Sequence, residues 1–270
     1  MPDARIAAPV MEVFASIQGE GAFVGEPQAF LRLRGCPIRC RWCDTPGSWR
    51  VGASDRARIA ATPERGRTRK ESPWVTPFQA ACWIAEVEPG TPRTVSVTGG
   101  EPLLWPEFLL GLRTMFAPRR LHLETGGGHP RALARVIDGF DHVSLDLKPD
   151  LDLDPPEELA ETTAAGGETA PRTRAEWRAA RAACLALVAG RDACGKIVVS
   201  GERTADELAP LLDEVEAHAP ELAVYLQPAT PMNGATAPAP ETLASLVEMA
   251  RDRDLAVRVV PQVHRALGWP

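Results

Sequence analysis

A chain of 270 residues, 44% hydrophobic and 24% charged, has the composition of an ordinary globular protein and enough length for one α/β domain of barrel size. A net charge of −6 and a pI near 5.5 exclude the basic footprint of a nucleic-acid-binding surface. No apolar run approaches a membrane span and the first fourteen residues hold no signal-type apolar core, so the expectation is a cytoplasmic protein with no membrane and no nucleic-acid partner.

In chain order, residues 10–14 and 28–34 read as strands, the second running into Cys36, Cys40 and Cys43. Residues 50–73 are charged and poor in large apolar side chains, which reads as a solvated insertion. Thr76 then caps a helix with Pro77 at its first position, running to residue 88. Strand 93–98 ends in Thr98-Gly99-Gly100-Glu101-Pro102, and helix 106–116 follows. Strand 121–125 ends in Glu124-Thr125-Gly126-Gly127-Gly128, helix 130–137 follows, and strand 142–147 runs into Asp146-Leu147-Lys148. Residues 149–172, rich in Asp, Glu, Pro and Gly, read as a second insertion. Thr173 with Glu176, and Thr204 with Glu207, are capping-box pairs that open two more helices, with strand 196–200 between them. Strand 223–227, helix 241–253 and strand 255–260 complete the series, and residues 261–270 form a tail.

Strand and helix alternate about six times, which predicts a parallel sheet with helices outside. Six units are too few for a closed eight-fold barrel, so the expected fold is a single α/β domain over 1–270. It is a partial, open (β/α)6-type TIM barrel carrying two polar insertions. Nearly every unusual motif falls just past the end of a strand, the rim that forms the catalytic face of such barrels.

Three thiols within Cys36 to Cys43 hold either a metal ion or an iron–sulfur cluster. Zinc sites and ordinary ferredoxin clusters need a fourth protein ligand, which is missing locally. A cluster on three cysteines leaves one iron open to a small molecule, as radical S-adenosylmethionine chemistry requires; the alternative is a zinc knuckle completed by a distant histidine. Cys82, Cys184 and Cys194 lie in apolar stretches and read as core. The crowded triad argues against a disulfide framework. Gly99, Gly100 and Glu101 suit an ammonium group, since glycines admit close backbone approach and a carboxylate accepts its protons. Arg32 should point inward on its strand, where a buried arginine needs an anionic partner.

The order Ile17-Gln18-Gly19-Glu20-Gly21, Arg32, Gly35-Cys36 and Cys43-Asp44-Thr45 resembles the 7-carboxy-7-deazaguanine synthase family of radical S-adenosylmethionine enzymes. The resemblance continues through the Thr98 to Pro102 motif, Glu124-Thr125, Asp146 to Lys148, Gln227-Pro228 and Gln262-x-His264, with a proline last. It implies conversion of 6-carboxy-5,6,7,8-tetrahydropterin to 7-carboxy-7-deazaguanine with loss of ammonia, on the way to queuosine and other 7-deazapurines. It implies a [4Fe–4S] cluster on Cys36, Cys40 and Cys43, and Mg2+ at Thr45. S-adenosylmethionine would lie against Trp42, Gly100, Glu101, Glu124, Asp146, Leu147, Lys148, Gln227, Pro228, Ala229 and Thr230. The pterin would meet Ile17, Gln18, Gly19, Glu20, Thr98, His264 and the carboxylate of Pro270, with its own carboxylate on Arg32. An electron donor such as flavodoxin or ferredoxin and a homodimeric assembly are expected. Ala229 stands where the family often has methionine, Arg265 where lysine is commoner, and Pro37-Ile38 where Asn-Leu is usual. In the tail, Leu267 and Trp269 favour docking. The competing readings are an activating enzyme for a glycyl-radical protein and a non-catalytic iron–sulfur electron-transfer module. The first needs a large protein partner, whereas the Ile17 to Gly21 segment and Arg32 suit a small anionic heterocycle.

Overall fold

The structure, a computed structural model, describes residues 6–60, 68–88, 90–153 and 168–269. Its strands are β1 (Ala8–Ile17), β2 (Pro27–Leu33), β3 (Ala57–Ala60), β4 (Thr68–Glu71), β5 (Trp74–Val75), β6 (Thr94–Gly99), β7 (Leu121–Thr125), β8 (His142–Asp146), β9 (Ala193–Val199), β10 (Ala223–Pro228) and β11 (Val257–Val259). The sheet runs β11-β10-β9-β8-β7-β6-β2-β1-β3-β4, with β5 paired to β1. From β2 to β11 every neighbouring pair is parallel. The crossovers are α1 (Pro77–Val87), α2 (Pro106–Phe116), α3 (Pro130–Val136), α4 (Arg174–Val188), α5 (Ala205–His218) and α6 (Pro240–Arg251). Six strand–helix units thus lie side by side and the sheet stays open, as the alternation predicts.

The local signals act as expected. The hydroxyls of Thr76, Thr173 and Thr204 each accept from the backbone N–H three residues on, and each capping box is complete. Proline occupies the first turn of α1, α2, α3 and α6, where its missing N–H costs nothing. Along the parallel strands the faces divide with period two. Val95, Val97, Leu121, Leu123, Val143 and Leu145 join the main core. Ser96, His122, Glu124, Ser144, Asp146 and Lys196 occupy the alternate positions and point the other way, into the barrel. Among the described residues no helix is long and apolar enough to cross a membrane.

Four local expectations need correction. Residues 50–73 are not simply solvated: β3 pairs parallel to β1 and antiparallel to β4, with Ala57 and Ile59 buried. The alternation Ala57-Arg58-Ile59-Ala60 is a strand signal too short to stand out among the surrounding arginines; residues 61–67 lie outside the described residues. Of the second insertion, 154–167 lie outside them as well. Its far end reaches back through Glu168, whose carboxylate accepts from Arg131 N at 3.1 Å and Ala132 N at 2.8 Å in the first turn of α3. Strand β1 is longer than expected and delivers Ile17 directly to the rim. Cys184 and Cys194 are core, but Cys82 is exposed, because the buried stripe of α1 passes through Ala80, Ile84 and Val87 and leaves Cys82 on the opposite side.

Candidate active site

The strand ends surround one cavity that, with its open mouth, encloses about 1190 Å³. Its floor and one wall are the cysteine loop after β2. Gly35 takes φ +90°, and a Cβ there would sit 3.2 Å from Leu104, so glycine suits both the turn and the packing. The loop closes on its own far end through Gly35 N to Ser48 O at 2.8 Å and Cys36 N to Trp49 O at 3.1 Å. Arg39 donates to the carbonyls of Cys36 and Ile38 at 2.9 Å each and lies over the Trp49 ring. Cys36, Cys40 and Cys43 are free thiols and all line the cavity. Burial pushes the Cys40 thiol up to about 12 and raises Cys36 as well. Bare, those two thiols are protonated, and bound iron would have to displace their protons. Among the described residues no three His, Cys, Asp or Glu side chains are gathered around one ion. A cluster spreads its three thiolates over three irons, and this apolar-walled loop with Ile38, Trp42, Trp49 and Trp177 packed about it fits that group.

The glycines after β6 have a steric reason. A Cβ on Gly99 would meet Leu33 O at 2.2 Å, and one on Gly100 would meet Gly35 O at 2.1 Å. The strand end can therefore lie on the cysteine loop, with Gly100 N donating to Leu33 O at 3.0 Å and Glu101 N to Gly35 O at 2.7 Å. Glu101 itself is buried and its carboxylate is occupied. It accepts from Thr125 Oγ1 at 2.7 Å, Leu103 N at 3.0 Å and Gly126 N at 2.9 Å, fastening the β6 loop to the β7 loop. Glu101, Leu147 and Pro228 are not part of the cavity lining, and Pro270 lies outside the described residues. The other site residues expected from sequence all line it.

Glu124 stands at the centre. Its Oε1 accepts from Gln18 Nε2 and Ser96 Oγ, both at 2.8 Å, and its Oε2 from Thr98 Oγ1 at 3.1 Å. Behind Ser96, His122 Nδ1 lies 3.3 Å from the hydroxyl, and His122 Nε2 lies 2.8 Å from Ser144 Oγ, with Cys194 Sγ 3.3 Å further on. A carboxylate only accepts, so the chain has one direction. Ser96 spends its proton on Glu124 and accepts from Nδ1–H. Burial and the neighbouring His142 push the His122 pKa well down, leaving Nε2 bare to accept from Ser144.

Beside it runs a charged network. Asp146 lies 2.9 Å from Lys148 Nζ and 3.0 Å from Lys196 Nζ, and Lys196 also pairs with Glu20. Burial opposes the charge of each, yet the carboxylates of Asp146, Glu20 and Glu124 raise the Lys196 pKa, and the two lysines hold Asp146 below its usual range. Lys148 also lies over the Trp42 ring, 4.7 Å from its centre. Glu20 Oε1 accepts from Gln262 Nε2 at 2.5 Å, and Gln262 Oε1 from Thr230 Oγ1 at 2.6 Å. Lys196 was not expected here; a lone cation inside the apolar run Ala193-Cys194-Gly195-Lys196-Ile197-Val198-Val199 was the available signal.

The tail forms one unit with the Ile17 to Gly21 segment. Val263 N donates to Gly19 O at 3.0 Å, and a Cβ on Gly19 would lie 1.7 Å from His264 Nδ1, so any side chain there would displace the His264 ring. A short helix α7 (Val263–Ala266) carries His264, whose pKa burial lowers. Docking uses Gln262, Val263 and His264, whereas Leu267 and Trp269 stay exposed, contrary to expectation. Thr45 Oγ1 donates to Asp44 Oδ1 at 3.1 Å. Burial raises the Asp44 pKa, but Arg32 and Arg265 outweigh it and hold the group below its ordinary value, so a hydroxyl and a carboxylate stand together as hard oxygen donors. Arg32 lies over the Phe14 ring, which stacks on Phe30 with centroids 5.0 Å apart, and both rings line the cavity.

Residues 31–152 match the family model described as the Radical SAM superfamily. A protein of Methanothermobacter thermautotrophicus and one of Geobacter sulfurreducens, both named 7-carboxy-7-deazaguanine synthase, are each 32% identical over 97% of this chain and 97% of their own. The crystal structure of QueE from Escherichia coli is similar in fold, with a TM-score of 0.57 at 20% identity, covering 94% of this chain and 93% of that one.

Proposed function

The chain belongs to the 7-carboxy-7-deazaguanine synthase family of the radical S-adenosylmethionine superfamily, and from that premise we propose how its cavity works. The activity is conversion of 6-carboxy-5,6,7,8-tetrahydropterin to 7-carboxy-7-deazaguanine with loss of ammonia, a carbon–nitrogen lyase step in queuosine biosynthesis. The observation that carries it is that three free thiols, residues Ile17 to Glu20 and Arg32 open onto one cavity.

Cys36, Cys40 and Cys43 hold a [4Fe–4S] cluster. With that cluster and S-adenosylmethionine bound, the site would supply radical hydrogen-abstraction chemistry at C6 of the pterin. The chain's part is to bind, orient and exclude water. The backbone at Gly100 receives the methionine ammonium. Glu124, held by three donors, keeps its second oxygen turned to a ribose hydroxyl. Asp146, Lys148, Gln227, Ala229 and Thr230 line the adenosine side. Arg32 takes the pterin carboxylate, Glu20, Thr98 and neutral His264 take its polar edge, and the Phe14–Phe30 stack supports the ring. Thr45, with Asp44 beside it, would hold Mg2+, which would make turnover Mg2+-dependent. An electron enters from flavodoxin or ferredoxin, in a cytoplasmic homodimer.

Anaerobic incubation of the reconstituted protein with reductant, S-adenosylmethionine, Mg2+ and the pterin, followed by mass spectrometry, tests this. The expected result is 7-carboxy-7-deazaguanine and ammonia in equal amounts. S-adenosylmethionine cleavage that leaves the pterin untouched overturns the substrate; a stable cluster with no cleavage favours an electron-transfer module.

A further inference from the structure

The hairpin β3–β4 adds two strands beyond β1, and its register aligns it with the cavity. Thr98 pairs with Arg32, Arg32 with Glu12, and Glu12 with Arg58, so one residue row crosses β6, β2, β1 and β3. The row starts in the cavity wall at Thr98 and Arg32 and ends on the hairpin. Glu12 is its only anion. Arg32 Nε lies 2.9 Å from Glu12 Oε1, while Arg58 donates through Nε to Oε2 at 3.0 Å and pairs with the same oxygen through Nη2. Glu12 and Arg32 are largely buried and Arg58 is half exposed.

Two arginines thus share one carboxylate, one on each oxygen. If Glu12 faced Arg32 alone, the pair would be neutral and Arg32 would already have its anionic partner. A second anion arriving from the cavity would then meet a compensated guanidinium backed by a buried negative charge. With Arg58 on Oε2 the set carries net charge +1; solvent meets the half-exposed Arg58, whereas Arg32, held over Phe14 with Asp44 near it, offers its share of the excess on the cavity side.

We propose that the hairpin serves the substrate site, with Arg58 a positioning residue that occupies Glu12 so that Arg32 stays available to the carboxylate of the substrate. The proposal rests on the reading above, in which Arg32 receives the carboxylate of the pterin. Arg58 touches neither substrate nor cofactor; it acts through Glu12.

Isothermal titration of the cluster-loaded protein with 6-carboxy-5,6,7,8-tetrahydropterin, in the presence of S-adenosylmethionine, provides the test. Arg58→Met should weaken binding about tenfold, the scale of one hydrogen bond to a charged group. Arg58→Lys should keep most of the affinity. The double variant Glu12→Gln, Arg58→Met should recover it, because Glu12 no longer competes for Arg32. Tetrahydropterin without the 6-carboxylate should bind the parent and Arg58→Met equally. Parent-like affinity in Arg58→Met, or a double variant as weak as the single one, overturns the proposal. A parent that does not bind the pterin overturns the functional reading, and this proposal with it.

Discussion

The two faces of the same parallel strands are built on opposite rules. Outside, Val95, Val97, Leu121, Leu123, Val143 and Leu145 form a uniform apolar layer under the helices. Inside, one residue away each time, Ser96, His122, Glu124 and Ser144 form one connected polar set and Asp146 with Lys196 another beside it. The outer layer is satisfied by any well-shaped apolar contact, so it specifies fold and little else. Each inner group depends on its particular partner, so it specifies orientation. The difference predicts that damage to the outer face is read in stability alone, and damage to the inner face in ligand affinity and turnover as well.

The largest effect should follow Lys196→Met. It leaves Glu20 without its cation and Asp146 with Lys148 alone, and breaking such a buried pair costs about 3–5 kcal/mol. Because that cation joins the Glu20 and Asp146 segments, proposed above to meet the two ligands, KM for both should rise, whereas Lys196→Arg should recover part of each. Thermal melts with parallel kinetics check this, and a variant with parent KM values would break the contrast between faces.

Leu123→Ala, its outer-face counterpart, should lose about 2–5 kcal/mol in urea unfolding. Its KM values should match the parent wherever the fold persists. A large KM change without loss of stability would again break the contrast.

How far these faces were legible follows from the range of each interaction. Alternation, the capping pairs at Thr173 and Thr204, and the position of motifs at strand ends are local patterns, and they yielded the open six-unit sheet. The crowded thiols at Cys36, Cys40 and Cys43 were equally local. Lys196 was missed because its partners Glu20 and Asp146 are far away in sequence. The occupation of Glu101 by Thr125 and Gly126, and the steric demand of His264 on Gly19, are also long-range facts with no local sign. The β3–β4 hairpin was hidden by its arginines, one of which, Arg58, proves to be paired to the inner row.

A smaller effect concerns pH. Burial keeps the folded-state pKa of His122 well below its ordinary value, so the unfolded chain binds its proton first. The stability this neutral group permits is full above the unfolded value of about 6.5 and is lost as pH falls below it. His122→Phe should therefore flatten the fall in melting temperature between pH about 6.5 and 5. It should also loosen Glu124 and raise KM for S-adenosylmethionine. An unchanged acid slope would show that His122 does not carry this dependence.

The smallest expected change is that of Thr45→Ala. Cluster absorbance should stay at the parent level, while the Mg2+ concentration giving half-maximal turnover should rise by roughly tenfold, the cost of about 1.4 kcal/mol for one lost oxygen ligand. An unchanged Mg2+ titration would remove Thr45 from the site.

The central claim is that cofactor and pterin share one rim closely enough for direct hydrogen transfer. Pterin deuterated at C6, turned over anaerobically by the reconstituted protein, tests it most directly. The account predicts deuterium in 5′-deoxyadenosine or in recovered S-adenosylmethionine, and none from substrate labelled only at C7. Product formed with neither cofactor species labelled would contradict it.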